Sequence, residues 1–278
     1  MHATQIELVE FTKDHLDGAL ALSRQAKWPH RREDWTMVLD LSTGVVALDR
    51  GRVVGTTLVT QFGQRAASIN MVIVDEAMRG RGIGRRLMDF ALQQSDGLEC
   101  RLVATQDGLP LYEKLGFRVT GKVKQYQGIA TGTSPNPDVS WATGDDAMEF
   151  VRMDQVASGL DRTRLMTFLG RNARIAVLRR EGRMIGFAAL RTFGRGEVIG
   201  PVVAMNVEDA CQLLAFLFAE RAGTFLRVDI PEAAGLAPWL NEHGLAQVGG
   251  GIAMRRGAAI LDHMSAFHTF ALASQALG

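Results

Sequence analysis

The chain has 278 residues, with 31 Lys and Arg against 30 Asp and Glu and a net charge of +1, so its bulk field favours neither nucleic acid nor an anionic membrane. An apolar fraction of 47% supports packed cores, and the length allows one large domain or two ordinary ones. The N-terminus lacks a basic-then-apolar signal, the longest apolar run (Leu213 to Ala219) is too short to span a bilayer, and Cys100 and Cys211 sit far apart in apolar settings; together these read as a cytoplasmic protein with buried thiols and no disulfide.

Ile6, Leu8 and Val9 predict a first strand, after which Thr12 can cap a helix carrying Leu16, Ala19, Leu20 and Leu22. Trp28-Pro29-His30 ends that helix. Glu33 and Asp34 open a second, with Trp35, Val38 and Leu39 on one side, ending at Gly44. Val45 to Leu48 and Val53 to Thr60 read as a hairpin around Asp49-Arg50-Gly51-Arg52. The run Ile69 to Val74 is the next strand. It leads into Arg79-Gly80-Arg81-Gly82-Ile83-Gly84-Arg85-Arg86, after which Ile83, Leu87, Phe90 and Ala91 recur at helical spacing until Gly97.

That glycine–arginine stretch is strand, loop and helix N-terminus in one. Its glycines remove the Cβ atoms that would hold a ligand off the backbone, and the helix dipole, free N–H groups and arginines would converge on one anion. It reads as a polyphosphate site. A nucleotide P-loop is excluded because Arg85 and Arg86 stand where Lys and Ser/Thr belong, and a dinucleotide fingerprint because position 85 is not Gly. On these residues alone, a glycine-rich turn with solvated arginines stays open. Downstream come a short buried strand, Arg101-Leu102-Val103-Ala104, and then Leu109-Pro110-Leu111-Tyr112-Glu113-Lys114-Leu115-Gly116-Phe117.

Two motifs in this order resemble the GNAT superfamily of acyl-CoA N-acyltransferases. The family's pyrophosphate loop, Gln/Arg-x-x-Gly-x-Gly/Ala, corresponds to Arg79, Gly82 and Gly84, and its Leu-Tyr-x-x-x-Gly-Phe segment after the fifth strand corresponds to Leu111 to Phe117. The resemblance covers most of residues 1 to 128 and implies an α/β fold, a mixed sheet with helices on both faces. It implies acetyl-CoA as donor substrate. Val72, Ile73 and Val74 would border a strand bulge that holds the pantetheine arm and thioester, with Arg79, Gly80, Arg81, Gly82, Ile83, Gly84 and Arg85 at the pyrophosphate. Thr105, where many relatives carry Asn, and Gly108 would complete the donor contacts. Tyr112 would touch the donor and serve as general acid, protonating the departing thiolate, since a phenol of ordinary pKa near 10 keeps its proton at neutral pH. The other reading of Tyr112 is a packed amphipathic tyrosine.

Residues 128 to 146 are rich in Thr, Gly, Ser, Pro and Asn and read as a linker, giving a first domain over 1–128, a linker over 129–146 and a second domain over 147–278. Beyond it the chain echoes itself. VVALDRGRVVG (45–55) returns as IAVLRREGRMIG (175–186), placing Gly51 with Gly182 and Gly55 with Gly186 at an offset of 131, and Leu115-Gly116-Phe117 returns as His243-Gly244-Leu245 at 128. Positions 79 to 84 map onto Ala210 to Ala215, which carry neither glycine nor arginine. The helix there would be capped by Asn206 or Asp209, and Leu213 and Leu214 would keep a pyrophosphate off the backbone. This pattern resembles bacterial tandem GNAT proteins with a degenerate second domain.

The resemblance implies an N-acetyltransferase acting on the primary amine of a small-molecule or peptide acceptor by direct attack in a ternary complex. A non-catalytic acyl-CoA sensor is the alternative. Relatives often place a Glu in the fourth strand as base, but Ser68, Ile69, Asn70 and Met71 offer no carboxylate. His30 and Asp34 fall in the region bordering acceptor sites in the family. Arg191, Arg195, Glu197, Asp229 and Glu232 are second-half candidates for handling the acceptor's charge, the second domain being the expected acceptor side. The six histidines show no metal-ligand spacing, His263 and His268 reading as surface, so no metal is expected. Neither nucleic acid nor membrane is an expected partner, and the choice between monomer and homodimer is open.

Overall fold

The structure is a computed structural model that describes residues 6–258 and 265–278; His263 lies outside the described residues. It comprises two compact units. Unit 1 holds the chain up to Arg118 together with the residues from Met254 that close the last long strand; unit 2 holds Val119–Ala253 and the segment leading to Ala276.

In unit 1, β1 (Glu7–Glu10), α1 (Leu16–Gln25), α2 (Arg32–Leu41), β2 (Thr43–Asp49), β3 (Arg52–Phe62), β4 (Ala66–Val74), α3 (Ile83–Gln94), β5 (Glu99–Ala104) and α4 (Leu109–Lys114) follow one another. The sheet runs β1-β2-β3-β4-β5, antiparallel except for the parallel β4–β5 pair. In unit 2 the series is β6 (Arg118–Ile129), β7 (Val139–Trp141), α5 (Ala147–Ser158), α6 (Thr163–Asn172), β8 (Arg174–Arg180), β9 (Arg183–Phe193), β10 (Gly196–Ala204), α7 (Val207–Glu220), β11 (Phe225–Pro231), α8 (Ala237–Glu242), β12 (Leu245–Arg256) and β13 (His268–Ala271). Its sheet runs β12-β6-β11-β10-β9-β8-β7, with β13 on β10. From β7 to β11 the order repeats that from β1 to β5, two helices after the first strand and one between the fourth and fifth.

The echoed glycines have physical causes. Arg50 and Gly51 take φ 51° and 80°, and Glu181 and Gly182 take 53° and 74°, the two left-handed residues of a tight hairpin turn in each copy. A Cβ on Gly55 would lie 2.9 Å from Leu87 of α3, and one on Gly186 would lie 3.0 Å from Leu213 of α7, so in both copies a helix packs closely on its sheet. Ile83 and Leu87 pack with Val45, Ala47, Val54 and Met78 in unit 1; Leu213, Leu214, Leu217 and Phe218 enter the larger core of unit 2.

The 129–146 stretch is not wholly a linker. Val139–Trp141 pairs antiparallel with Ala176–Leu178, because two of its residues are apolar and can extend the sheet once Pro135 and Pro137 are past. Residues 119–128, read above with the first domain, belong to unit 2, where β6 pairs with β11 from Val123↔Pro231 to Ile129↔Phe225.

Candidate functional site

β4 and β5 pair over only three positions, Ala66, Ala67 and Ser68 against Glu99, Cys100 and Arg101. β4 nevertheless continues to Val74 and β5 to Ala104, leaving a gap between their ends. The bulge implied by the resemblance lies at the start of that gap. Thr56 pairs with Ile73 and Leu58 with Asn70, so Met71 and Val72 together oppose Thr57. Met71 takes φ 51°, a left-handed conformation costing a side-chain-bearing residue about 1–2 kcal/mol. The Thr56 hydroxyl, donating to the Met71 carbonyl oxygen at 2.6 Å, holds it there.

A cavity of about 550 Å³ opens on the gap. Val72, Ile73 and Val74 line one side and Thr105, Gly108 and Tyr112 another, with Arg79, Gly80, Gly82, Ile83 and Gly84 at one end. Arg81 and Arg85, expected beside them, are not among the lining residues. Arg85 is drawn along α3 to Asp89 at 2.8 Å, and Arg86 is occupied by the Ile6 carbonyl at 3.0 Å. Arg79 reaches Asp107, also on the cavity wall, at 3.4 Å.

The loop is shaped by contacts within the chain. Asp75 follows β4, accepts from the Ala77 N–H at 2.9 Å and pairs with Arg52; that guanidinium hydrogen bond is the main reason its carboxyl lies below the usual carboxylate range. The Gln25 side-chain oxygen accepts from the Glu76 N–H at 3.1 Å, and Met78 is buried. Gly80 and Gly82 then take φ 77° and 76°, and a Cβ built on either meets no atom within 4 Å. Backbone conformation, not crowding, therefore requires glycine, and the space above the loop is open. Gly82 caps α3 without a side chain, and no acidic residue stands in the first turn. The early N–H groups of α3, which have no intrahelical partner, and its positive dipole end face a site suited to an anion.

Tyr112, on α4, is 8% exposed and packs edge-on to Phe117 with ring centroids 6.1 Å apart. Gly108 permits this, since a Cβ there would lie 2.8 Å from the tyrosine ring. Thr105 accepts from the Gly108 N–H at 3.2 Å through its hydroxyl and so starts the same helix. Burial pushes the Tyr112 phenol up to about 12.

The other sequence candidates have structural partners. Asp34 is buried, accepting from the Arg31 guanidinium at 2.8 and 3.1 Å and from the Arg31 N–H at 2.8 Å. His30 bonds Ser23 at 3.2 Å and sits edge-on to Trp28 and Trp35. In unit 2, Arg191 donates to the Ala273 carbonyl, Arg195 to Gln127, Glu197 pairs with Arg221, Asp229 with Arg227 and Glu232 with Lys124. His268 is exposed, as expected. Sequence reasoning missed Gln25, Lys27 and Trp28, which join the cavity wall from the end of α1 and the turn after it. The only local signal was the helix-breaking Trp28-Pro29, which marks an end and not a destination.

The chain matches the family model of an acetyltransferase (GNAT) domain twice, over residues 40–119 and, with a second model of the same description, over 150–268. It is 30% identical over 233 residues to the uncharacterized N-acetyltransferase YitH of Bacillus subtilis, covering 81% of this chain and 82% of that one. A glucosamine 6-phosphate N-acetyltransferase of Trypanosoma brucei brucei is 35% identical over 77 residues, 24% of this chain and 52% of the relative. The fold is similar to that of a Pyrococcus horikoshii protein assigned as an acetyltransferase, with a TM-score of 0.82 at 21% identity over 100% of this chain and 98% of that one. No helix among the described residues is long and apolar enough to cross a membrane. With two acetyltransferase domains in tandem and a relative matched over four-fifths of its length, the chain belongs to the GNAT N-acetyltransferases.

Proposed function

We propose that unit 1 transfers the acetyl group of acetyl-CoA directly to a primary amine. The observation that carries this reading is the joint placement, around one cavity, of an anion-suited helix start, a length of strand edge left unpaired on the β5 side beyond a bulge, and a buried tyrosine. The fit to the donor is chemical. A pyrophosphate suits the N–H groups at Gly82 to Gly84 with Arg79 beside them, and an arm carrying two amides suits the strand edge Val72 to Val74.

In the reaction the amine nitrogen attacks the thioester carbonyl carbon, the C–S bond breaks, and the thiolate takes the phenolic proton of Tyr112. The nitrogen of the collapsing adduct, far more acidic than a free ammonium, returns a proton to the phenolate. A phenol near 12 would be a poor donor to a thiol of ordinary pKa near 8.5, but the same dry surroundings that raise Tyr112 also destabilise the thiolate. A thiol raised by the same burial offsets the rise in the phenol, so the mismatch stays nearer its value in water.

The acceptor must first shed its proton. For an amine of pKa near 10.4 that costs roughly 4–5 kcal/mol at pH 7, and the fourth strand has no carboxylate to assist. Acceptors of lower pKa, such as α-amino groups near 8 or amino sugars, are therefore favoured. The test is amine-dependent release of CoA from acetyl-CoA across a panel spanning these classes, glucosamine 6-phosphate included. Binding of acetyl-CoA with no amine-dependent release by any member would make the protein an acyl-CoA sensor instead.

A further inference from the structure

Unit 2 repeats the strand gap of unit 1 and then fills it. β10 and β11 pair over only three positions, Glu197, Val198 and Ile199 against Leu226, Arg227 and Val228. A bulge follows at Gly200 and Pro201, which together oppose Ala189, as Met71 and Val72 oppose Thr57. Past it, the β10 edge is covered by the chain itself, Val202 against Ala271, Val203 against Thr269 and Ala204 against His268. The segment then crosses to β11, where the Leu272 N–H donates to the Asp229 carbonyl at 2.8 Å. Gly200 is needed for the passage, since a Cβ there would lie 1.9 Å from the Leu272 carbonyl oxygen.

Side chains also hold this segment. Arg191 donates to the Ala273 carbonyl at 3.0 Å, and Gln275 donates to the Asp229 carboxylate at 2.9 Å, with Asp229 fully buried and held by Arg227. The start of α7, by contrast, is ill suited to an anion. Asn206 caps the Asp209 N–H at 2.8 Å, Glu208 and Asp209 make the first turn acidic, and Leu213 and Leu214 are buried there.

From this geometry we propose that the β10–β11 gap is a binding site for an extended polypeptide whose resident ligand is the chain's own segment from His268 to Gln275, and that the protein consequently takes one acyl-CoA per chain. The second clause rests on the donor reading of unit 1; the first does not.

Hydrogen exchange on the wild-type chain tests both. Without ligand, the peptide containing Val202 to Ala204 should exchange at least tenfold more slowly than that containing Val72 to Val74. Added CoA should slow exchange only at 72–74, with one CoA bound per chain by calorimetry. Slowing at 202–204, or two CoA per chain, would overturn the single-donor clause. An absence of any CoA effect would sink the donor reading and leave the peptide site to its own test. For that, Gly200→Val in the full chain should expel the segment, raising exchange at 202–204 at least tenfold, and a chain ending before Ser265 should regain protection there when a synthetic peptide of residues 265–276 is added. If the shortened chain does not fold, Arg191→Ala, which removes one anchor, should raise exchange at 202–204 severalfold. Wild-type protection in both point variants, or fast exchange at 202–204 in the wild type, refutes the peptide site.

Discussion

The Thr56 hydroxyl donates to the carbonyl oxygen of Met71 at 2.6 Å across β3 and β4, and both residues are buried. This bond supports the one left-handed residue of β4. Thr56→Val keeps shape and removes the donor, leaving a buried carbonyl short of a partner, and should cost about 1–2 kcal/mol in urea denaturation. Because the bulge precedes the edge at Val72–Val74, the same variant should raise the KM for acetyl-CoA more than it lowers kcat. Unchanged stability and KM would show that the bulge stands without the hydroxyl.

Gly82→Ala should separate folding from function. With nothing within 4 Å of the new Cβ, the stability loss is limited to the left-handed backbone, about 1–2 kcal/mol. The methyl group stands in the space an anion would use, so the thermal shift produced by CoA should fall by more than the melting temperature does. A variant that responds to CoA like the wild type would remove this loop from the donor site.

Tyr112→Phe should lower kcat about 10²-fold or more at neutral pH and leave the Kd for CoA within about twofold. The pH dependence of stability offers a second reading. The folded-state pKa, about 12, lies above the ordinary value near 10, so folding favours the protonated phenol. That contribution is complete below pH 10 and fades as pH rises from there toward 12, by roughly 2–3 kcal/mol at most. The Phe variant should therefore lose less stability than wild type over that interval, measured by denaturant titration at each pH.

Arg52→Ala removes the main cause of the depressed Asp75 carboxyl. A lowered carboxylate pKa stabilises the fold above about pH 4 and stops doing so as pH falls through the folded value. The variant should thus be less stable than wild type at neutral pH, with the difference closing below about pH 4. Since Asp75 also holds the Ala77 N–H, the KM for acetyl-CoA should rise alongside.

The sequence made local features legible. Arg50-Gly51 and Glu181-Gly182 announce hairpins because a two-residue turn needs left-handed conformations, and Gly55 and Gly186 repeat because a helix lies on each. Gly80 and Gly82 were readable as turn positions for the same reason, since both take left-handed conformations. Long-range placement was not legible. Trp28 joins the cavity through a turn with no motif, the four residues His268–Ala271 gave no sign that β10 was their partner, and the composition change at Gly128 hid the fact that β6 already pairs in unit 2. Arg191 and Asp229 were read as candidates for an acceptor's charge, whereas their partners include Ala273 and Gln275, whose return to these strands the sequence did not show.

The gap between β4 and β5 also bears on solubility. A bare strand edge is a template for pairing with another molecule, and proteins usually shield such edges. In unit 2 the shield is covalently part of the chain; in unit 1, under the proposed function, it is a metabolite that comes and goes. Storage without the donor should then favour association between molecules at Val72–Val74. Light scattering on warming should rise later in the presence of CoA than of an equal concentration of inorganic pyrophosphate, which could occupy the loop but not cover the strand.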